Sequence, residues 1–522
     1  MNRDNAATRT SYDEVPYESF PFPQTHPDRM ATLGRLFGLQ PHDLANSRVL
    51  ELGCAGGGNL IPMALTMPDA EFVGVDLSAV QVAQGQKLIA DLRLTNIRLL
   101  VLSITDLDKS FGQFDYILSH GVYSWVPNAV QEKMLTICAE QLSANGIAYI
   151  SYNTLPGWRM RGMIREMMRY HAMQFADPAQ RVAQARGLLD FLAKWVPAEN
   201  NAYGMLLKSE LESLRSAPDY YILHEHLEDI NEPLYFHEFV ERADQHGLQY
   251  LAEADFSTML ASNLPPEVNN TLVRIAPDVI RQEQLMDFMR NRTFRQTLLV
   301  RKHIPVNRTV TPDRVKTLWV SADLSPLNAE PNLATNVEES FRGSKGGMMT
   351  TPNPVTKAAM MVLARCWPGT LAFQDLLGKA LGLLEQPDVK STEGGLSAEM
   401  TLASDLLQCH VAELVELHAG PSPFVIKPGE RPKASPLAQW QAARGLPQVT
   451  TLRHELVAID ANMGQLLQLL DGTRNRESIF RAVTDLALAN AKAKNSMELA
   501  GSIRKWVDQA LAQMARTAVL LG

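Results

Sequence analysis

Residues 49–59 read VLELGCAGGGN. An apolar run carrying one acid, Glu51, breaks at Gly53 into a loop with further glycines at 56, 57 and 58. The apolar NLIPMALTMP that follows opens a helix. A strand, a glycine turn and a helix in that order bring backbone close to a ligand. Outward from this stretch the pattern repeats. EFVGVDLS (71–78), NIRLLVLSI (96–104), FDYILSHG (114–121) and GIAYISYN (146–153) read as further strands, separated by amphipathic helical stretches at 79–94 and 129–145. Short apolar strands alternating with helices predict a doubly wound, Rossmann-like α/β sheet. After Pro156 the strand rhythm stops, and 158–232 reads as a helical insertion after strand five. LQYLAEADF (248–256) and FRQTLLVRK (294–302) then complete a seven-stranded sheet. The expected organisation is an N-terminal cap at 1–45, the sheet domain at 46–305 and a connector at 306–345. A winged-helix-like module at 346–430 and a helical module at 431–522 complete it, so the C-terminal part is mostly helical.

Length and charge narrow the function. A chain of 522 residues accommodates several domains. The net charge of −8, with no Lys/Arg run, makes nucleic acid an unlikely partner. The four cysteines, 54, 138, 366 and 409, form no CxxC pair, so reduced thiols in a cytoplasmic protein are expected. The polar N-terminus has no signal-peptide core, and no apolar run is long enough to span a membrane.

Three ligands suit a strand–glycine–helix start. A Walker loop needs a lysine after its glycines, and none follows. A dinucleotide fingerprint needs a glycine where Ala55 stands, so NAD or FAD matches poorly. S-adenosyl-L-methionine needs no pyrophosphate cradle. It needs backbone access for its methionyl end and an acid for its ribose. Asp76, about twenty residues beyond the glycines, supplies that acid. Glu51 suits a cationic, amine-bearing ligand better than an anionic one.

VLELGCAGGGN followed by FVGVDLS resembles the first two motifs of class I S-adenosylmethionine-dependent methyltransferases. HGVYSWVP (120–127), SYNTLPGW (151–158), HEHLEDINEPLYFHEF (224–239) and FMRNRTFRQTLLVR (288–301) resemble a narrower group. These are bacterial methyltransferases with a methyltransferase regulatory domain, among them lysine methyltransferases of surface proteins. The resemblance runs from about Tyr12 to His303. It implies Glu51, Gly53, Ala55 and Gly56 at the methionyl end, Asp76 and Leu77 at the ribose, and Ser103 and Ile104 flanking the adenine. His120 and Gly121 would sit by the sulfonium. Ser103 departs from the acid usual in the broad class.

For the methyl acceptor the sequence offers aromatic and polar candidates. Tyr123 and Trp125 follow strand four, and Tyr152, Asn153 and Trp158 surround strand five's end. Tyrosine hydroxyls and aromatic faces suit a lysine ammonium. His224 and Glu225 could form a general-base pair, whereas the spacing of His224, His226 and His237 matches no zinc pattern, so no metal is expected. The aromatic, proline-rich N-terminus is expected to close over the cofactor through Tyr12, Tyr17 and Phe20. The [DN]PP[YFW] tetrapeptide and a Pro-Cys nucleophile are both missing after strand four, which argues against planar-nitrogen and cytosine acceptors. The resemblance implies a protein lysine as the favoured acceptor, and a homodimer is compatible with the chain. The alternatives are a small-molecule methyltransferase and a cofactor-binding regulatory or scaffold protein without turnover.

Overall fold

The computed structural model describes residues 14–259, 264–384, 397–490 and 496–521. Its chain divides into two compact units: residues 1–20, 46–61 and 69–304 form the first, and 21–45, 62–68 and 305–522 the second. Tyr12 lies outside the described residues.

The first unit is built on a seven-stranded sheet. Its strands are β1 (Arg48–Leu52), β2 (Glu71–Asp76), β3 (Ile97–Val101), β4 (Phe114–Ser119), β5 (Leu142–Asn153), β6 (Leu248–Glu253) and β7 (Phe294–Arg301). The order across the sheet is β3-β2-β1-β4-β5-β7-β6. Pairings from β3 to β5 are parallel, and β7 runs antiparallel to both of its neighbours. The central strands are buried on both faces, which is why they read as unbroken apolar runs rather than alternating ones. Leu50 pairs with Val73 on one side and Ile117 on the other. One core cluster joins Leu50, Val73, Ile117, Ile150, Leu299 and residues of the helix Asn128–Gln141.

Between β5 and β6 the chain leaves the sheet as helices Gly157–Ala172, Pro178–Trp195 and Ala202–Leu214. They have a core of their own, including Ile164, Met168, Val182, Leu189, Leu207 and Leu214. A short helix, Asp219–Ile222, and one π-helical turn, Leu223–Leu227, return the chain toward β6. Behind β7 lies a buried ion cluster. Arg295, fully buried, meets Glu253, Glu283 and Asp287 at 2.8–2.9 Å, and its guanidinium covers the Phe236 ring at 3.8 Å.

In the second unit, residues 21–45 supply the helix Pro27–Leu36. Asp28 on it accepts from the Ala419 amide at 2.7 Å and lies 2.8 Å from His418 Nδ1, and Arg35 donates to the Ala419 carbonyl at 2.9 Å. Residues 21–45 therefore belong with chain far downstream, in the second unit. The stretch expected as a connector carries strands Trp319–Ser321, Leu324–Pro326 and Glu339–Gly343, each too short to leave a periodic signal. Helices Pro354–Cys366, Phe373–Gly382 and Ala398–Val411 follow. A last cluster packs Leu466, Leu467, Ile479, Val507, Leu511 and Met514. Among the described residues no helix is long and apolar enough to cross a membrane.

Candidate active site

The glycine loop is shaped from below by β2. The amides of Gly53 and Cys54 both donate to the Val75 carbonyl, at 2.9 and 3.1 Å. Asp76 then clasps the loop: one carboxylate oxygen accepts from the Ala55 amide and the other from the Ser78 amide, each at 2.8 Å. Ala55 is held at φ +48 and Gly53 at φ +76, left-handed backbone that favours glycine at the second position. A Cβ on Gly53 would stand 2.5 Å from Val122 Cγ2, so the loop touches the turn after β4. Ser78 caps the helix Ala79–Leu92, on whose first turn Gln81 lies.

Glu51 is the buried acid beneath this loop. It is 3% exposed, and Asn59 Nδ2 donates to its Oε1 at 2.7 Å. Its Oε2 is buried with no partner. Burial raises its carboxyl to about 8, against the Asn59 hydrogen bond, and nearby Asp76 adds slightly. A buried carboxylate lacking one hydrogen bond is a receptor for a cationic donor. That fits the ammonium of an amino-acid moiety and does not fit a phosphate.

The remaining cofactor candidates line the same edge of the sheet. Leu77, just past β2, is exposed, and Ile104 is buried in the turn after β3. Ser103 Oγ accepts from the Thr105 amide at 3.2 Å, so it caps that turn. Gly56 sits over the helix Ala79–Leu92, its Cβ position 3.6 Å from the Gln81 carbonyl. After β4, His120 Nδ1 lies 2.8 Å from Tyr149 Oη, and the Gly121 amide donates to Ser151 Oγ at 2.8 Å. Burial lowers His120 to about 4, so the imidazole is neutral at pH 7.

The segment from Val15 to Ser19 crosses over the loop. Ser19 Oγ accepts from the Gly58 amide at 2.7 Å, and the Tyr17 carbonyl accepts from Gln81 Nε2 at 2.8 Å. Gly58 is glycine for contact: a Cβ there would fall 2.2 Å from the Ser19 carbonyl oxygen. On its other side the segment is tied to the insertion. His224 Nε2 lies 2.7 Å from the Val15 carbonyl, and the Tyr17 ring meets Tyr220 at 5.1 Å and His224 at 5.8 Å.

This arrangement matches known proteins along its length. Residues 49–146 match a family described as a methyltransferase domain, 218–301 a predicted methyltransferase regulatory domain, and 430–519 the PKMT C-terminal winged helix domain. The structure of PKMT2 from Rickettsia typhi in complex with AdoHcy superposes with a TM-score of 0.85. It is 31% identical, over 97% of this chain and 100% of that one. The protein RP789 of Rickettsia prowazekii is 39% identical over 91% of this chain and 86% of its own length. RP028 of the same organism is 44% identical over 243 residues, 97% of its length. The chain belongs to the PKMT family of methyltransferases. The winged helix match at 430–519 falls in the C-terminal part, where winged-helix-like modules were expected.

In this PKMT-family enzyme the acceptor candidates separate. Tyr123 and Tyr152 are fully enclosed. Tyr152 stacks on Phe239 at 4.1 Å and its hydroxyl lies 3.2 Å from Thr297 Oγ1, while Tyr123 packs edge-on against the same Phe239 at 5.3 Å. Both are core residues. Trp125 remains half-buried and meets Trp158 edge-on at 6.1 Å. The Asn153 backbone amide donates to Ser124 Oγ at 2.9 Å and its Nδ2 donates to Asn231 Oδ1 at 3.1 Å, joining the β5 end to the segment before β6. His224 does not pair with Glu225. It pairs with Glu228 at 2.8 Å and with Val15, so it ties the segment down. Glu225 is half-buried on the π-helical turn, and burial raises its carboxyl to about 7. Ser19, Asn59, Gln81, Tyr149 and Tyr220 complete the site and were not foreseen. Asn59 and Gln81 had a faint signal, as polar residues on the buried sides of apolar helices.

Proposed function

We propose that this enzyme transfers the methyl group of S-adenosylmethionine to lysine side chains of a protein. The similarity to PKMT2 over nearly the whole chain, winged helix included, carries this reading. S-adenosylmethionine, when bound, supplies a methyl carbon made electrophilic by its sulfonium. Glu51 meets the ammonium of the methionyl end, and the backbone at Gly53, Ala55 and Gly56 lies along it. Asp76 and Leu77 hold the ribose, and Ser103 and Ile104 border the adenine. His120 and Gly121 stand at the sulfonium, where a neutral imidazole avoids repelling the positive charge. Tyr17 covers the cofactor and keeps water from the acceptor amine. The acceptor is a polypeptide in the cytoplasm, consistent with four free cysteines and an acidic chain.

The test is transfer from labelled S-adenosylmethionine to cell protein by the wild type and by Asp76→Ala. Label recovered as methyl-lysine after acid hydrolysis, and lost in the variant, is the expected result. Label confined to small molecules or to other amino acids refutes the lysine assignment.

A further inference from the structure

Resting on the placement of the cofactor at the glycine loop, and not on the acceptor being lysine, we propose that His224 is a positioning residue that gates cofactor exchange. It holds residues 15–19 closed over the loop and so sets how fast S-adenosylmethionine enters and S-adenosylhomocysteine leaves.

The segment Val15–Ser19 is fastened on two sides. On the loop side the Gly58 amide donates to Ser19 Oγ at 2.7 Å, and Gln81 Nε2 donates to the Tyr17 carbonyl at 2.8 Å. A Cβ on Gly56 would stand 3.9 Å from Ser19 Cβ, so the segment lies against the backbone assigned to the methionyl end. On the insertion side Val15 packs on the core of Ile164, Met168 and Leu223. Its carbonyl meets His224 Nε2 at 2.7 Å. The Tyr17 ring stands edge-on to Tyr220 at 5.1 Å and tilted to His224 at 5.8 Å.

His224 is placed to keep that hold. It is 2% exposed. A carbonyl oxygen only accepts, so Nε2 carries the hydrogen that points at Val15. Nδ1 lies 2.8 Å from Glu228 Oε1, which fixes the ring from its other side. The backbone around Glu228 is braced in turn. Arg165 and Arg169 both donate to the Glu228 carbonyl, and Arg169 also donates to the Leu227 carbonyl and to Asp229, each at 2.7 Å. The π-helical turn Leu223–Leu227 is therefore the fixed jaw. Residues 15–19 belong to no helix or strand and are held by a few side-chain contacts, which makes them the part that opens.

None of these contacts needs the cofactor, so the segment closes with or without it. A ligand of the glycine loop passes the same cover on the way in and on the way out. A cover that must open for both slows association and dissociation together. The strength of the His224 hold therefore appears in rates far more than in affinity.

The experiment is surface plasmon resonance of S-adenosylhomocysteine on the immobilised full chain, which gives both rate constants. His224→Ala removes one closing hydrogen bond, so kon and koff should each rise about fivefold, with Kd within about threefold of wild type. His224→Gln keeps an N–H donor and should restore most of the wild-type rates. Unchanged rates in His224→Ala, or a rise in koff alone, overturn the gate. If His224→Ala does not fold, Ser19→Ala decides, because it frees the same segment from the loop side. Both rates rising together supports the gate, and any other result overturns it. A wild type that does not bind S-adenosylhomocysteine refutes the cofactor placement and the gate together, whereas methyl transfer to a residue other than lysine leaves the gate standing.

Discussion

Replacing Glu51 by glutamine should make the cofactor-free enzyme more stable by an amount that grows as the pH rises from about 4.5 to about 8 and is constant above. Glu51 is 3% exposed and burial raises its carboxyl from 4.5 to about 8. Between those values the folded protein binds a proton that the unfolded chain does not. Stability therefore falls as pH rises through that window, by about 1.4 kcal/mol per pH unit. The full penalty above pH 8 is about 5 kcal/mol as an upper figure. Glutamine keeps the acceptor for Asn59 and cannot ionise. The wild type and Glu51→Gln should thus nearly coincide at pH 4.5. They should separate by about 3 kcal/mol between pH 5 and 7, which is about 5–10 °C in the melting of a unit this size. Melting both proteins from pH 5 to 8.5, with and without S-adenosylmethionine, measures this. The cofactor should narrow the gap, because an ammonium against the carboxylate restores the value of its charge. Parallel curves across the range would show that Glu51 ionises freely, and the reading of its unpartnered oxygen as a cation receptor would fall with it.

Asp76→Ala strips the partner from the Ala55 and Ser78 amides, about 1–3 kcal/mol of stability for each. Calorimetry should show S-adenosylmethionine binding at least tenfold weaker. Tyr152→Phe removes one hydroxyl contact to Thr297 inside the core. It should cost about 0.5–1.5 kcal/mol by denaturant titration and leave methyl transfer at the wild-type rate, and a loss of turnover would return Tyr152 to the acceptor. Arg295→Leu leaves three buried carboxylates with Arg292 as their remaining cation and should destabilise by about 3–5 kcal/mol. The same variant should recover stability as the pH is lowered, since Glu283, already raised to about 7, protonates first.

The sheet was legible because its strands are buried on both faces, so Val49 to Leu52 and Phe114 to Ser119 stand out as apolar runs. Asp76 was legible because the distance from glycine loop to β2 end is set by one helix and one strand. The acceptor side was not. A tyrosine is apolar enough for the core and polar enough for a site, and nothing near Tyr152 in sequence announces Phe239 or Thr297. His224 and Glu225 are adjacent in sequence, yet neighbours on a helix do not face each other, and His224 turns to Glu228. The partners of residues 21–45 could not be read at all, because Asp28 and His418 stand 390 positions apart.

That separation has a consequence for synthesis. The helix Pro27–Leu36 leaves the ribosome early with Met30, Leu33 and Leu36 on the side it later buries. Its contact at His418 does not exist until 390 further residues have been made. At about 5–20 residues per second the wait is roughly 20–80 s. The second unit therefore cannot assemble in step with translation. It closes late, around a helix made early, and a nascent chain stalled before residue 418 carries that helix without its partners at His418 and Ala419.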